Sequence, residues 1–385
     1  MLRQNGGIPH LYSAYAPPGP KNTAMLNNGK HTFRFVFMWA ILLLLGACSS
    51  DVKHSLAPTP TAYGRINQVT VICDSTLWNG PVGDSLRFYY SSAYLILPQP
   101  EPIFDLDHVT PEHLAMFPIK RELRTYIVLG NLSDENSTTN GIIREDIDAE
   151  KLQAIRQQPG YGTTAGRDKW AKGQLLVYMY AYDDASLIQN LIASFPAVRK
   201  RINDADQERI AATAFFNGEN SGLQEELRAT MGVTMRIPRD YVRAVAEPDF
   251  VWLRMETSEA SHNIMIHKVP YRDQKQLSRE GIKAIRDSLG RRYISSTLPN
   301  TYMRVNDWDL PLYVEQINLN GNYAIQAHGI WEIVNDFMGG AFVSYLMYNP
   351  KHKDLLFIDG FLHAPGQDKR NDMQKIEHIL RTAKY

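Results

Sequence analysis

Cysteine is almost missing: the 385 residues contain two, Cys48 and Cys73. So few thiols exclude a disulfide framework and a multi-cysteine zinc site. Charge of one sign is missing too, since 41 Lys and Arg balance 41 Asp and Glu. That balance leaves no electrostatic footprint for nucleic acid and no polybasic surface for membranes. The longest apolar run, Phe35 to Leu45, has 11 residues, whereas a spanning helix needs about 20. There is no G-x-S-x-G elbow, no H-E-x-x-H, no P-loop and no paired C-x-x-C, so common local signatures of catalysis and cofactor binding are absent. No cofactor and no metal is expected.

What is present begins with an address. Lys30 and Arg34 precede the apolar run, and Leu45-Gly46-Ala47-Cys48 follows it, in the order of a positive region, a short apolar region and a cleavage site. The last four residues resemble the bacterial lipobox, in which the Cys thiol takes a diacylglycerol and becomes the new N-terminus. The expectation is a bacterial lipoprotein lipidated at Cys48, its partner being membrane lipid held through several acyl chains. Residues 1–24 carry Tyr, Pro and Gly but no acidic residue and no apolar run, and do not fit a signal peptide. Met25 is the better start, and residues 1–47 are read as leader and signal peptide. Ser49 to Lys53 holds one acidic residue, Asp51, which favours the periplasmic leaflet of the outer membrane over the cell surface. Without residues 1–47 the chain keeps 37 basic residues against 41 acidic ones.

With Cys48 acylated, Cys73 has no thiol to pair with, so stability must come from burial. Cys73 ends the strand-like Val69-Thr70-Val71-Ile72 and reads as a small buried hydrophobe, not a nucleophile. The remaining body, about 335 residues, exceeds the usual single-core size and predicts two domains.

Residues 48–65, with Pro58, Pro60 and Gly64, read as a lipidated tether. Residues 66–204 read as an N-terminal α/β domain. Its strands are Gln68–Cys73, Ile103–Val109, Thr125–Leu129 and Gln174–Tyr182. Its helices are Asp84–Tyr90 and Asp183–Asn203, the second kinked or stopped at Pro196. Asn131–Lys169 reads as a polar surface excursion with a short helix near Ala149–Gln157. Residues 205–231 form a helical connector broken by Gly218-Glu219-Asn220-Ser221-Gly222.

Residues 232–385 read as a C-terminal α+β domain. Strands are expected at Val233–Ile237, Phe250–Glu256 and Asn263–Tyr271, then a helix at Arg279–Tyr293. Four strands follow, Tyr313–Leu319, Tyr323–Val334, Gly340–Tyr348 and Asp354–His363, the first pair joined by an Asn320-Gly321 hairpin. Asp372–Lys384 closes the chain as a helix. The fold class is α+β, mainly antiparallel sheets with packed helices, in two α/β sandwich-like halves. The order of the second half resembles the α/β/α sandwich of photosystem oxygen-evolving accessory proteins and of a nuclear transport factor, an analogy that transfers no function.

Chemistry must then come from scattered residues. Asp105 and Asp107 share one strand face, with His108 next and His113 close, the best local set for acid–base work. The plain alternative is a solvated strand edge. His262 and His267 lie five apart in a strand, face opposite sides and cannot share a metal; the default is two unrelated surface histidines. Gly160 to Gly166 is a mobile loop more than a phosphate cradle. Asn136 to Gly141 starts like a calcium loop, but its twelfth position is Ile147 where a bidentate Glu is needed. Phe337 and Met338, at the tip of Asn335-Asp336-Phe337-Met338-Gly339-Gly340, are candidates for contact with a partner, another envelope protein.

Several strings together resemble an uncharacterised bacterial lipoprotein family, domain of unknown function 4837. They are Leu77-Trp78-Asn79-Gly80-Pro81-Val82-Gly83-Asp84, Leu97-Pro98-Gln99-Pro100-Glu101-Pro102, Asp249-Phe250-Val251-Trp252-Leu253-Arg254, the Asn335–Gly340 turn, and Ala364-Pro365 with Asp368-Lys369-Arg370. The resemblance implies an envelope location and one architecture, and carries no catalytic residues. It also makes Asp74-Ser75-Thr76, Asp84-Ser85-Leu86 and Asp287-Ser288-Leu289 similar to the O-glycosylation acceptors of such bacteria, at Ser75, Ser85 and Ser288. The leading expectation is a non-enzymatic binding or assembly protein on the outer membrane; the other is an envelope hydrolase with a site built from distant residues.

Overall fold

Short runs of β-branched and aromatic residues build the first sheet. In the computed structural model, which describes residues 58–385 apart from Pro159 and Tyr161, β1 (Gln68–Ile72), β2 (Asp105–Val109), β3 (Thr125–Asn131), β4 (Thr163–Arg167) and β5 (Leu175–Ala181) lie in the order β2-β1-β3-β5-β4. Cys48, the leader and most of the tether fall outside the described residues. The first four in that order are parallel and β4 is antiparallel to β5. Parallel strands need helical crossovers and are covered on both faces, so β5 is buried along its whole length.

The connections between strands supply α1 (Ser75–Trp78), α2 (Pro81–Tyr90), α3 (Pro111–Met116), α4 (Thr138–Asp146) and α5 (Ala149–Gln157), and α6 (Asp184–Ala214) follows β5. On one face Val71, Leu129 and Met179 pack against Leu86 of α2 and Leu191 and Ile202 of α6. On the other, Val128 and Tyr178 pack against Ile143 of α4 and Ile155 of α5. The polar excursion is therefore two helices and an edge strand, and residues 163–166 of the Gly-rich loop lie in β4.

Asp183 caps α6, its Oδ1 accepting the Ser186 N–H at 2.8 Å. The helix does not stop at Pro196 or Asn203. It runs to Ala214 with Pro196 inside, because Val198, Ile202 and Ile210 continue the buried stripe and tertiary burial offsets one lost backbone hydrogen bond. A break at Gly218, where φ is +88°, leads to α7 (Ser221–Met231).

The second sheet is antiparallel throughout. Its strands are β6 (Val242–Glu247), β7 (Phe250–Glu256), β8 (Ser261–Pro270), β9 (Tyr302–Asn306), β10 (Tyr313–Leu319), β11 (Asn322–Val334), β12 (Gly339–Asn349) and β13 (Asp354–His363). They run β10-β11-β12-β13-β8-β7-β6, and β9 pairs with β11. Asn320 and Gly321 take φ +53° and +90° between β10 and β11, the backbone of the expected hairpin turn. Val233–Ile237 is not a strand. Val233, Met235 and Ile237 are buried in alternation, but the segment pairs with other backbone only at isolated points, the Thr234–Lys384 bridge and the Asn220 N–H to Ile237 O bond among them, and forms no ladder.

Period-2 alternation gives this sheet two apolar faces. Phe342, Leu346, Phe357 and Phe361 face α8 (Arg279–Tyr293) through Ile282 and Leu289. Val343, Tyr345, Ile358 and Ile264 face α9 (Arg370–Leu380) through Ile376 and Leu380, with Leu227 and Met231 of α7 extending that core. Between sheet and α8 lies a buried ion pair, Arg286 Nε to Asp359 Oδ1 at 3.0 Å. Arg286 stacks on Phe342, and Ser344 donates to the same carboxylate oxygen. Burial raises the Asp359 pKa against the pull of Arg286. Two sheet-bearing halves with packed helices make a mixed α+β fold, in one compact unit, Thr59–Tyr385. No described helix is long and apolar enough to cross a membrane.

Candidate functional site

α9 is the element on which the two halves meet. Its stripe Met373, Ile376, Ile379 and Leu380 faces inward, and Gly360 of β13 lets it approach closely: a Cβ there would lie 2.2 Å from Ile376 Cγ2. Its own sequence offers no cap, since Lys369 has no side-chain acceptor. The cap comes from the first half, where Glu101 accepts the Lys369 N–H at 2.6 Å and the Arg370 N–H at 2.9 Å, a carboxylate at the positive end of the helix. Arg370 then donates to Pro102 O and to both oxygens of Asp105, at 3.2 and 2.9 Å. Two strings of the sequence resemblance, Leu97–Pro102 and Asp368–Arg370, are thus the two sides of one joint. Asn67 adds to it, donating to Asn371 Oδ1 and Gln374 Oε1 at 2.9 and 2.7 Å.

The acid–base set read from the sequence does not converge. Asp105 pairs with Arg370, while Asp107 accepts from Gln68 Nε2 at 2.8 Å. His108 stacks on Trp78 at 4.8 Å, and its Nε2 meets Cys73 O. His113 sits in the first turn of α3, its N–H bonded to Thr110. Phe337 is fully exposed, but Met338 is half-buried against the core cluster beneath α8. Ser75 and Ser288 are exposed and Ser85 is half-buried, all on helices.

Two clefts flank α9. The larger, about 710 Å³, lies between α6 and α9, with Tyr94, Phe195, Arg199, Asn203, Gln326 and His328 among its walls. On its floor Gln326 Nε2 lies 2.7 Å from His328 Nε2, 3.1 Å from Tyr345 Oη and 3.1 Å from Glu377 Oε1. Arg381 donates to Glu377 at 2.8 Å and to Tyr345 at 3.1 Å. Burial lowers the His328 pKa and raises that of Tyr345 well above its usual value, so both stay neutral at neutral pH. Gln326 Oε1 is buried without a partner among the described residues. Ile96, over this floor, holds φ at +55°, a strained conformation for a β-branched residue that only surrounding structure can maintain.

The second cleft, about 630 Å³, holds His262, Asp372, Lys375 and Tyr241. His262 is buried, not a surface histidine, and its Nε2 lies 3.5 Å from Asp372 Oδ2. Burial would raise the Asp372 pKa, but hydrogen bonds from His262 and Lys375 outweigh it and hold the carboxyl down at about 2. His262 Nδ1 and Tyr241 Oη are buried and unpartnered among the described residues. His267, on the opposite face as expected, meets Asp249 O at 2.7 Å. Sequence reading missed the pair because His262 and Asp372 sit on different elements and share no local motif. No group of three potential metal ligands occurs among the described residues.

Residues 220–382 match the family model described as Domain of unknown function (DUF4837), which supports the resemblance for this part of the chain. Residues 62–214 match a second model, Domain of unknown function (DUF8532), so the quoted strings up to Pro102 fall under that one. No curated protein matches the chain in sequence. Among solved structures it is similar to the Saccharomyces cerevisiae Ran-binding protein Mog1p and to a mutant form of protein Mog1. Each is 8% identical over 40% of this chain and 89% of the other, with TM-score 0.27. It is also similar to the human StarD13 lipid transfer and protein localization domain, 10% identical over 41% of this chain and 95% of that one, with TM-score 0.20. Likeness at this level carries no argument about function.

Proposed function

We propose that this is a non-enzymatic envelope lipoprotein, held at the outer membrane through acylated Cys48 and facing the periplasm, whose body binds a neutral polyhydroxylated ligand of the saccharide class between α6 and α9. The lipobox-like Leu45–Cys48 string supports the anchoring. The observation that carries the binding reading is the cleft's lining: four side-chain amides, Asn203, Gln207, Gln326 and Gln374, with Tyr94 and Phe195 beside them and no Ser, Thr or Cys. Amides both donate and accept, as sugar hydroxyls require, and aromatic faces cover the apolar faces of sugar rings. Asp204 and Glu377 are already paired with Lys200 and Arg381, while Glu315, His328 and His378 also line the cleft.

Titration calorimetry of the purified body against soluble cell-wall saccharides tests this. Arg199→Ala and Asn203→Ala are each expected to weaken Kd about tenfold, the loss of one hydrogen bond to the ligand, without changing the melting temperature. If no saccharide bound, or if both variants bound as well as the parent, the reading would fail.

The His262–Asp372 pair favours a second reading, a hydrolase with a site built from distant residues. Against it stands the buried, unpartnered His262 Nδ1. Turnover of a bound saccharide, abolished by His262→Ala, would put the hydrolase first.

A further inference from the structure

Apolar side chains gather where the tether joins the body. α3 ends in Met116, and Phe117, Pro118 and Ile119 follow. Met116 is 67% exposed, Phe117 47% and Ile119 57%, with Tyr63 beside them at 43%. Tyr63 Oη donates to Ile119 O at 3.3 Å and Tyr63 N to Glu122 O at 2.9 Å. One step earlier Ala62 N donates to Lys172 O, and Lys172 N to Pro60 O, both at 2.8 Å. The first described residues thus cross the N-terminal ends of β3 and β5, next to the exposed segment. Large apolar residues this close together and this exposed mark an interaction surface more often than chance.

Four cations lie at the same end of the sheet. Arg65, Lys120, Arg121 and Lys172 make no ion pair among the described residues. Carboxylates nearby include Glu112, engaged by Thr138, the half-buried Glu122, Asp168, which accepts from the Gly173 and Gln174 N–H groups beside Lys172, and Asp107, held by Gln68. Overall charge balance had pointed away from a membrane-binding surface, but balance over a whole chain says nothing about how charge is distributed, and here four cations meet at one end of a sheet.

We infer that this face, Tyr63 with Met116–Ile119 and the cations at that end of the sheet, is a docking surface for an anionic lipid bilayer. Where the tether joins argues for the occupant. Eleven peptide units separate Cys48 from Thr59, so even a fully extended chain keeps the body within roughly 40 Å of its anchor, and Tyr63 touches the patch directly. Apolar and aromatic side chains at headgroup depth, flanked by Lys and Arg, form the combination that binds acidic interfaces. The inference rests on the anchoring at Cys48 for its orientation, and it makes the tether a short leash that holds the patch against the bilayer.

The test uses the body without leader or acyl chain, residues 49–385; every core cluster lies inside Thr59–Tyr385, and circular dichroism checks each variant. Sedimentation with phosphatidylethanolamine–phosphatidylglycerol vesicles should capture it, and phosphatidylcholine vesicles should not. The triple change Met116→Ser, Phe117→Ser, Ile119→Ser should lower binding roughly tenfold or more, and so should Lys120→Glu with Arg121→Glu, while Phe337→Ser leaves it unchanged. Equal binding to both vesicle types, or a folded triple variant that binds like the parent, would overturn the inference. So would a concentration-dependent dimer abolished by the triple change with vesicle binding intact, since a second copy would then cover the face. Mass spectrometry of the Cys48 peptide from native membranes reports the anchoring separately: an unacylated Cys48 with vesicle binding retained would remove the anchor and support the docking face.

Discussion

Asp372 shows what a single side chain can do once its partners arrive from other elements. Hydrogen bonds from His262 and Lys375 hold its carboxyl at about 2, below the unfolded value of about 3.9. A depressed carboxylate stabilises the fold fully above about pH 4, and that stabilisation disappears as pH falls through 2, an effect of roughly 2 kcal/mol. Urea denaturation of Asp372→Asn should therefore show lower stability at pH 7 and a flatter acid limb between pH 4 and 2. An unchanged acid limb would assign the acid sensitivity to other groups. Cys73 is the opposite case. Burial pushes its thiol up to about 12, with Asp74 adding to the shift, so iodoacetamide should leave it unmodified in native protein at pH 8 and alkylate it in urea; labelling followed by mass spectrometry reads this. Burial of Cys73 was legible from the apolar residues before it. The partner of Asp105 was not, because Arg370 lies 265 positions away.

At the scale of elements, strands with strong alternation and helices with a clear apolar stripe came out of the sequence nearly whole. β7, β10, β13 and α8 have the expected limits. β4, β6 and β9 did not, since each depends on a neighbouring strand for its backbone hydrogen bonds more than on its own side chains; β6 is exposed or half-buried along its length. α9 was legible as a helix but not as a capped one, because its cap is Glu101 of the other half. Its docking offers a sharp test. Gly360→Ala would place a methyl group 2.2 Å from Ile376 Cγ2 and 3.0 Å from Leu380 Cδ1, and should destabilise by about 1–3 kcal/mol through overpacking. Chemical denaturation measures it, and a neutral result would mean that α9 shifts on the sheet without cost.

Over the whole molecule, the joint at α9 should make the two halves one cooperative unit. Asp105→Ala would leave the buried Arg370 guanidinium without its carboxylate, for a loss of about 2–3 kcal/mol. Combined with Arg370→Ala it should show a coupling of roughly 1–2 kcal/mol in a double-mutant cycle. Tryptophan fluorescence and far-ultraviolet dichroism should report one transition in the parent. Two separated transitions would show that the joint does not couple the halves.

The sequence alone determined most of the long strands and helices, the buried Cys73 and the hairpin at Asn320-Gly321, because each is written in local periodicity or turn chemistry. Only the tertiary structure decided that Asp105 belongs to a joint with Arg370, that His262 meets Asp372, that amides line the cleft between α6 and α9, and that four cations lie at the same end of the first sheet as Met116–Ile119. Those are pairings between residues far apart in the chain, and composition and periodicity carry no information about which distant side chains will share a surface.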